Sequence, residues 1–221
     1  MPSGASKNEQ GAPHRRPGVV ISEQGFSRVP GRARVKKLAQ DYRIRLATWN
    51  IGTLTGKTRE LVDTMLRRRI SIACLQETKW VGEKAREIDD TGFKLYCTGK
   101  DRYRNGVGIV VDKHLKDSVV TVTRKGDRII LVKLVIGGSI VNIISAYAPQ
   151  VGLDDLAKAQ FWEQMDDVVR EIPFGEKLFI GGDFNGHVGG HKQGYEKVHG
   201  GFGFGDLNEG GRRILDFARS F

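Results

Sequence analysis

From residue 43 onward, apolar and polar positions follow the two periods of regular secondary structure. Arg43–Asn50 alternates between apolar and polar residues, which predicts a strand running into a loop. Thr58–Arg69 has apolar residues at helical spacing, and Thr58 is the expected N-cap. Ile72–Gln76 is almost wholly apolar, which predicts a central strand covered on both faces.

The same periods continue to the end of the chain. Six more strands are predicted, the fourth and fifth forming a hairpin around Gly137-Gly138: Phe93–Cys97, Gly106–Val111, Val119–Arg124, Arg128–Ile136, Ser139–Tyr147 and Lys177–Ile180. Helices are predicted over Asp154–Glu171 and Glu209–Phe221, with a glycine-rich loop at Gly186–Gly205. This order predicts an α/β fold of mixed sheets with helices outside, as a two-layer or four-layer sandwich.

Residues 1–43 have a different composition. They contain four of the six prolines, and nine Lys/Arg face three Asp/Glu, for a net charge of +6. We therefore predict a disordered basic tail over residues 1–42 and one domain over 43–221. The basic run Arg32–Lys37 fits a nuclear localisation signal, a nucleic-acid-binding arm or a solvated linker.

Charge and cysteine content narrow the class of protein. The net charge of +10 favours a polyanionic partner, nucleic acid before a membrane, although many basic chains are merely soluble. Only Cys74 and Cys97 are present, and Cys74 sits in an apolar run that predicts a buried thiol. We expect a reducing, intracellular and nuclear location, with no membrane span and no obligate protein partner.

Four polar segments each follow a predicted strand. They are Trp49-Asn50, Gln76–Lys79, Tyr147–Pro149 and Gly181–Asn185. Ligands of α/β sheets bind at strand ends, where loops direct polar groups into one crevice. The four segments are therefore expected to form one site.

The donor atoms in these segments suit a hard cation. Glu77 and Asp183 offer carboxylates, and Asn50 and Asn185 offer amides, which together favour Mg²⁺ or Mn²⁺. On extended chain, Asp183 and Asn185 would point the same way, one orienting a water and the other holding a phosphate oxygen. Tyr147 could donate to the same phosphate. Each residue alone also fits an ordinary turn, cap or surface position, so the hypothesis depends on the whole set.

As an ordered set, these segments resemble the endonuclease/exonuclease/phosphatase superfamily. The sequence is most similar to craniofacial development protein 2-like sequences and to the endonuclease domains of RTE-type non-LTR retrotransposons. The stretches that carry this similarity are Gln76–Trp80, Asn105–Ile109 and Gly182–Gly189. The resemblance covers residues 43–221 and implies a four-layer αββα sandwich of two mixed sheets.

The resemblance also implies an activity and a role for each site residue. Glu77 would bind Mg²⁺ or Mn²⁺, and Asn50 would help to hold the metal or its waters. Asp183 would orient or activate the attacking water, while Asn185 and Tyr147 would contact the scissile phosphate. The implied reaction is hydrolysis of a phosphodiester in DNA, leaving a 3′-hydroxyl and a 5′-phosphate.

One departure from the family concerns its last motif, Ser-Asp-His, which is not found in the sequence. We expect a sheet truncated at its C-terminal strands and a weak or inactive nuclease. His187 and His191 lie near Asp183, but Gly189-Gly190 gives this loop little rigidity, so we do not expect them to replace the missing histidine. The alternatives are a non-catalytic nucleic-acid-binding remnant, or a phosphatase or phosphodiesterase acting on a phosphoinositide, a sphingolipid or RNA.

Basic residues flank the predicted site and point to DNA as the partner. They are Lys79, Arg102, Arg104 and Lys113. Such residues would contact the phosphate backbone without reading sequence. A solvated basic face is an equal alternative.

Overall fold

Two β-sheets face each other at the centre of the computed structural model, which describes residues 43–192 and 194–221. The first sheet has the spatial order β1 (Leu46–Asn50), β2 (Ile72–Gln76), β5 (Val107–Val111), β4 (Lys94–Thr98) and β3 (Lys84–Glu87). The second has the order β6 (Val119–Lys125), β7 (Ile129–Ile136), β8 (Ser139–Tyr147) and β9 (Lys177–Asp183). The predicted basic tail lies outside the described residues.

Each sheet contains one parallel pair, and these pairs carry the polar strand ends. In the first sheet β1 runs parallel to β2, with Asn50 opposite Gln76. In the second, β8 runs parallel to β9, with Tyr147 opposite Asp183. The other neighbouring strands are antiparallel. Parallel strands end at the same edge, so each sheet brings two of the predicted segments together.

Side-chain alternation along the strands builds three layers of apolar contact. In β2, Ile72 and Cys74 pack against the second sheet, while Ala73 and Leu75 pack beneath helix α1 (Thr58–Arg68). The outer face of the second sheet packs against helix α2 (Asp155–Arg170) and Phe217 of helix α3 (Glu209–Arg219). The predicted four-layer αββα sandwich is confirmed.

The sequence predicted a cap for α1 but none for α2, and the structure differs at both. Asp154 caps α2 by accepting a hydrogen bond from the backbone N–H of Ala157 at 2.7 Å. The predicted cap of α1 is wrong, because the N-cap is Lys57, which makes no side-chain cap bond. Thr58 is already helical, and its hydroxyl lies 3.4 Å from Asp89 Oδ2 instead.

The one strand that the hydrophobic pattern missed is β3. All four of its residues are exposed at the edge of the first sheet, so no alternation marks them. The other element ends shift by up to three residues, as at β1 and β9. Among the described residues, no helix has the length and apolarity needed to cross a bilayer.

A small polar network joins the two sheets inside this apolar interface. Gln76 and Ser145 are both fully buried, and Gln76 Nε2 donates to Ser145 Oγ at 3.1 Å. Ser145 Oγ donates in turn to the carbonyl of Leu75, and Thr48 Oγ1 donates to Gln76 Oε1 at 3.2 Å. Buried polar groups are costly unless they are paired, so this network favours one alignment of the sheets.

Cys74 lies beside this network as a buried free thiol, as predicted. Its Sγ is 3.5 Å from the carbonyl of Ile144 in the opposite sheet. Burial raises the pKa of the thiol to about 12. Cys97 is also free and buried, on the face covered by α1, and burial raises its pKa as well.

Replacing the glutamine of this network should destabilise the whole domain. Gln76→Ala leaves Ser145 and Thr48 with unmet hydrogen bonds, and we expect a loss of about 2 kcal/mol in the free energy of unfolding. Urea denaturation followed by circular dichroism measures it. The matched control is Gln164→Ala on the exposed face of α2, expected within about 0.5 kcal/mol of wild type. Equal losses in the two variants would contradict the role of the network.

Candidate active site

The polar strand ends of both sheets meet at one cavity. Asn50 ends β1 and Asp183 ends β9. Both side chains line a cavity of about 550 Å³, together with Asn185 and His187. Three of the four predicted segments therefore line one cavity, and the fourth joins them through the hydrogen bond from Tyr147 to Glu77.

One amide bridges the two carboxylates of the site. Asn50 Nδ2 donates to Glu77 Oε1 and to Asp183 Oδ2, each at 2.9 Å. Its Oδ1 accepts the backbone N–H of Gly52 at 3.1 Å. Glu77 and Asp183 belong to different sheets, so this amide brings together two acids far apart in sequence.

The contacts around Glu77 favour its ionised form. Burial alone would raise its pKa, but hydrogen bonds from Asn50, Tyr147 and Lys79 outweigh burial, so the pKa lies below its ordinary value. Lys79 Nζ lies 3.4 Å from Glu77 Oε2. Glu77 is therefore a carboxylate acceptor at neutral pH.

Tyr147 is a proton donor in this arrangement. Its Oη donates to Glu77 Oε1 at 2.9 Å. Burial, and then the hydrogen bond to Glu77, raises the pKa of Tyr147 to about 12. The phenol is therefore protonated at neutral pH and can donate a hydrogen bond.

Two further residues position Tyr147, and the sequence analysis missed both. Gln150 Nε2 donates to Tyr147 Oη at 3.3 Å. Arg128 Nη1 donates to the Tyr147 carbonyl at 3.1 Å, and its guanidinium lies 5.2 Å from the tyrosine ring centre. Gln150 directly follows Tyr147–Pro149 and could have been noticed, whereas nothing local marks Arg128.

The backbone after Asp183 is not extended. Asn185 has a φ of 49°, and its backbone N–H donates to Asp183 Oδ1 at 3.1 Å. Its Nδ2 donates to the carbonyl of Ala148 at 2.8 Å. The interpretation based on extended chain was wrong, because this turn folds Asn185 back onto Asp183. Both residues still line the same cavity.

The donor atoms of the site suit an ion such as Mg²⁺, which needs few protein ligands, better than an ion that needs three or more. Glu77 and Asp183 supply two carboxylates, and Mg²⁺ commonly binds through one or two carboxylates plus water and substrate phosphate. Within residues 43–192 and 194–221, no group of three or more His, Cys, Asp or Glu side chains could hold a metal. Asn50 was predicted to help hold the metal or its waters. In the structure its side-chain nitrogen donates to the two acids and its oxygen accepts from Gly52.

The predicted DNA-contacting residues occupy different places. Lys79 lies within the site itself, paired with Glu77. Arg102 and Arg104 lie on the loop of residues 99–106, at the site end of the first sheet. Lys113 follows the far end of β5, which is antiparallel to β2, so the structure does not bring it to the site.

The glycine-rich loop after Asn185 begins with close contacts to the residues around Asn208. The N–H of His187 donates to Asn208 Oδ1 at 3.0 Å. Gly186 lies so close to the backbone of Gly210 that a Cβ would collide with it. His187 lines the site cavity, while His191 is not among the residues lining it.

The chain is similar in sequence to two known proteins. Over 173 residues, or 78% of this chain, the protein is 31% identical to craniofacial development protein 2 from Bos taurus and to that from Tragulus javanicus. The chain spans only 29% and 30% of the lengths of these relatives.

Solved structures support the fold. The endonuclease domain of TRAS1, a telomere-specific non-LTR retrotransposon, matches with a TM-score of 0.53 and 16% identity. An AP endonuclease from Archaeoglobus fulgidus matches with a TM-score of 0.56 and 20% identity. Each match covers 80% of this chain and 70% of the other. Residues 47–198 match the endonuclease/exonuclease/phosphatase family, and the chain belongs to that family.

Proposed function

We propose that the site hydrolyses phosphodiester bonds in DNA with the help of Mg²⁺ or Mn²⁺, and that it does so weakly, as the missing Ser-Asp-His motif leads us to expect. The observation that carries this proposal is the Asn50 amide, which holds Glu77 and Asp183 together at the cavity. The net charge of +10 suits a polyanionic substrate. The names of the similar solved proteins, a retrotransposon endonuclease domain and an AP endonuclease, favour DNA and a retrotransposon origin.

In this proposal Glu77 holds the cation, because hydrogen bonds keep it ionised and Asn50, which lines the cavity, joins it to Asp183. A divalent cation would neutralise charge that develops on the phosphate and on the leaving oxygen. Asn50 acts as a positioning residue that fixes both carboxylates through its nitrogen.

Asp183 orients the attacking water and accepts its proton. Its Oδ1 accepts from the Asn185 backbone and its Oδ2 from Asn50, so the carboxylate has a fixed orientation. A carboxylate with a lone pair directed into a cavity can act as a general base.

Two groups of the chain can donate hydrogen bonds to the scissile phosphate. Tyr147 is a protonated phenol whose single O–H donates to Glu77, and it serves the phosphate when a cation takes over that carboxylate. Asn185 uses Nδ2 to bond Ala148, and the second hydrogen of that amide remains for a phosphate oxygen. Donors aimed at a developing charge lower the barrier.

A nuclear location agrees with a DNA substrate and stays a prediction.

Removing the charge of Asp183 should abolish cleavage. We expect Asp183→Asn to reduce the rate of supercoiled plasmid nicking in Mg²⁺ at least about 100-fold, because the water loses its proton acceptor. Wild-type nicking should also stop in EDTA. Asp63→Asn, at an exposed ion pair on α1, is the matched control and should nick like wild type.

The same assay separates the alternatives. Nicking by Asp183→Asn at the wild-type rate, or nicking that survives EDTA, would contradict the proposed chemistry. Hydrolysis of an inositol phosphate or an RNA strand, with plasmid left intact, would assign the site to another phosphoester.

Replacing Tyr147 should raise the pKa of Glu77. Tyr147→Phe removes a donor to the charged form of the carboxyl, so protonation becomes easier and the pKa moves up. Carbon-13 NMR of the Glu77 carboxyl during a metal-free pH titration measures the change. Tyr103→Phe is the control, because Tyr103 is exposed on the loop of residues 99–106. A titration unchanged by Tyr147→Phe would show that the hydrogen bond contributes nothing.

A further inference from the structure

Exposed aromatic side chains stand on two loops beside the cavity. Tyr103 is 78% exposed on the first loop, residues 99–106. Phe202 and Phe204 are 91% and 97% exposed on the second loop, residues 186–207. Phenylalanine rings are usually buried because their apolar surface is unfavourable in water. Two phenylalanines and one tyrosine, exposed on the two loops that adjoin the site, therefore offer a surface to a ligand bound there.

The first loop is tied to the active site by its backbone. The N–H of Lys79 donates to the Asn105 carbonyl at 3.1 Å, and the N–H of Thr78 donates to the Gly106 carbonyl at 3.0 Å. Thr78 and Lys79 follow Glu77 directly. Tyr103 is therefore carried by a loop that adjoins the acid proposed to hold the cation.

The second loop is held by contacts among its own residues. It starts after Asn185, and the buried His199 places Nε2 3.0 Å from the carbonyl of Gly189. Gly203, between the two phenylalanines, packs so tightly on that carbonyl that a Cβ would collide with it. The backbone that carries Phe202 and Phe204 is therefore packed on the first part of the same loop, whose Gly186 and His187 line the cavity.

Cationic side chains accompany the rings. Arg102 and Arg104 flank Tyr103, and the stem of Lys192 packs against Gly201, next to Phe202. Aromatic faces beside Lys and Arg are the combination that binds single-stranded nucleic acids, with bases stacked on rings and phosphates near cations. A purely apolar protein partner would add no counter-charge to these side chains, of which Arg104 already pairs with Asp101 at 3.4 Å.

We propose that the two loops bind unpaired bases on either side of the scissile phosphate, so that single-stranded or locally opened DNA is preferred to intact duplex. Base faces in a duplex are already stacked on each other, and exposing them costs unpairing energy that a mismatch or bubble has already removed. This inference rests on the proposed function, because it places the phosphate of the strand at Asp183.

Binding to fluorescent DNA in EDTA tests the inference without cleavage. The probes are a duplex, the same duplex with a central bubble, and one of its strands, measured by anisotropy. Wild type should bind the bubble and the single strand more tightly than the duplex. Phe202→Ala with Phe204→Ala should lose about tenfold in affinity for both, with much less change on the duplex. Tyr103→Ala should show a smaller loss of the same kind.

Matched variants separate stacking from general effects. Phe202→Tyr with Phe204→Tyr keeps the rings and should bind like wild type, whereas the corresponding leucine pair should bind like the alanine pair. Phe174→Ala removes a ring that is at least as exposed and should change nothing. Phe174 precedes the start of β9, and Asp183 lies at the other end of that strand. Full affinity in the leucine pair, an equal loss for Phe174→Ala, or tighter binding of duplex would overturn the inference.

Different results would contradict the proposed function and the proposed binding of unpaired bases. A chain that binds the bubble as expected but cleaves no DNA in Mg²⁺ would overturn the proposed function alone. A chain that nicks plasmid through Asp183 but whose alanine pair keeps its affinity for the bubble would overturn this inference alone.

Discussion

The hydrogen bond from Gln76 to Ser145, buried between the two sheets, is the constraint on which the site depends. Gln76 is the last residue of β2 and precedes Glu77, while Ser145 lies two residues before Tyr147 at the end of β8. A slip of one sheet past the other would break this bond inside an apolar layer, where no water can replace it. Apolar packing alone is far less directional. The network therefore fixes which strand ends meet, and the contact between Tyr147 and Glu77 follows from it.

The site also contains backbone conformations that a chain of L-residues normally avoids. Glu77 and Asn185 have φ values of 55° and 49°. Left-handed backbone costs about 1–2 kcal/mol per residue, so the surrounding contacts must stabilise it. At Glu77 these are three side-chain hydrogen bonds, and at Asn185 they are the bonds to Asp183 and Ala148. The same contacts that direct the oxygens and amides into the cavity also offset the strain of the turns that present them.

Much of this was predictable from sequence, because local patterns report local structure. The apolar run over Ile72–Gln76 predicted the buried strand β2, and the apolar stripe after Asp154 predicted α2, although Asp154 proved to be its N-cap. Strand β3 was missed because an exposed edge strand has no alternation. Lys113 was placed near the site because the sequence does not show that β5 runs antiparallel to β2. The turn at Asn185 and the support from Arg128 depend on residues distant in sequence, which no local pattern records.

The two cysteines are natural reporters of how the layers come apart. Cys74 lies between the sheets and Cys97 lies beneath α1, and thiolate rather than thiol reacts with alkylating reagents. With the pKa of Cys74 near 12 in the folded chain, alkylation there requires an opening that lets water between the sheets. Labelling rates at the two positions would therefore distinguish separation of the sheets from detachment of the helix, in an otherwise unmodified protein.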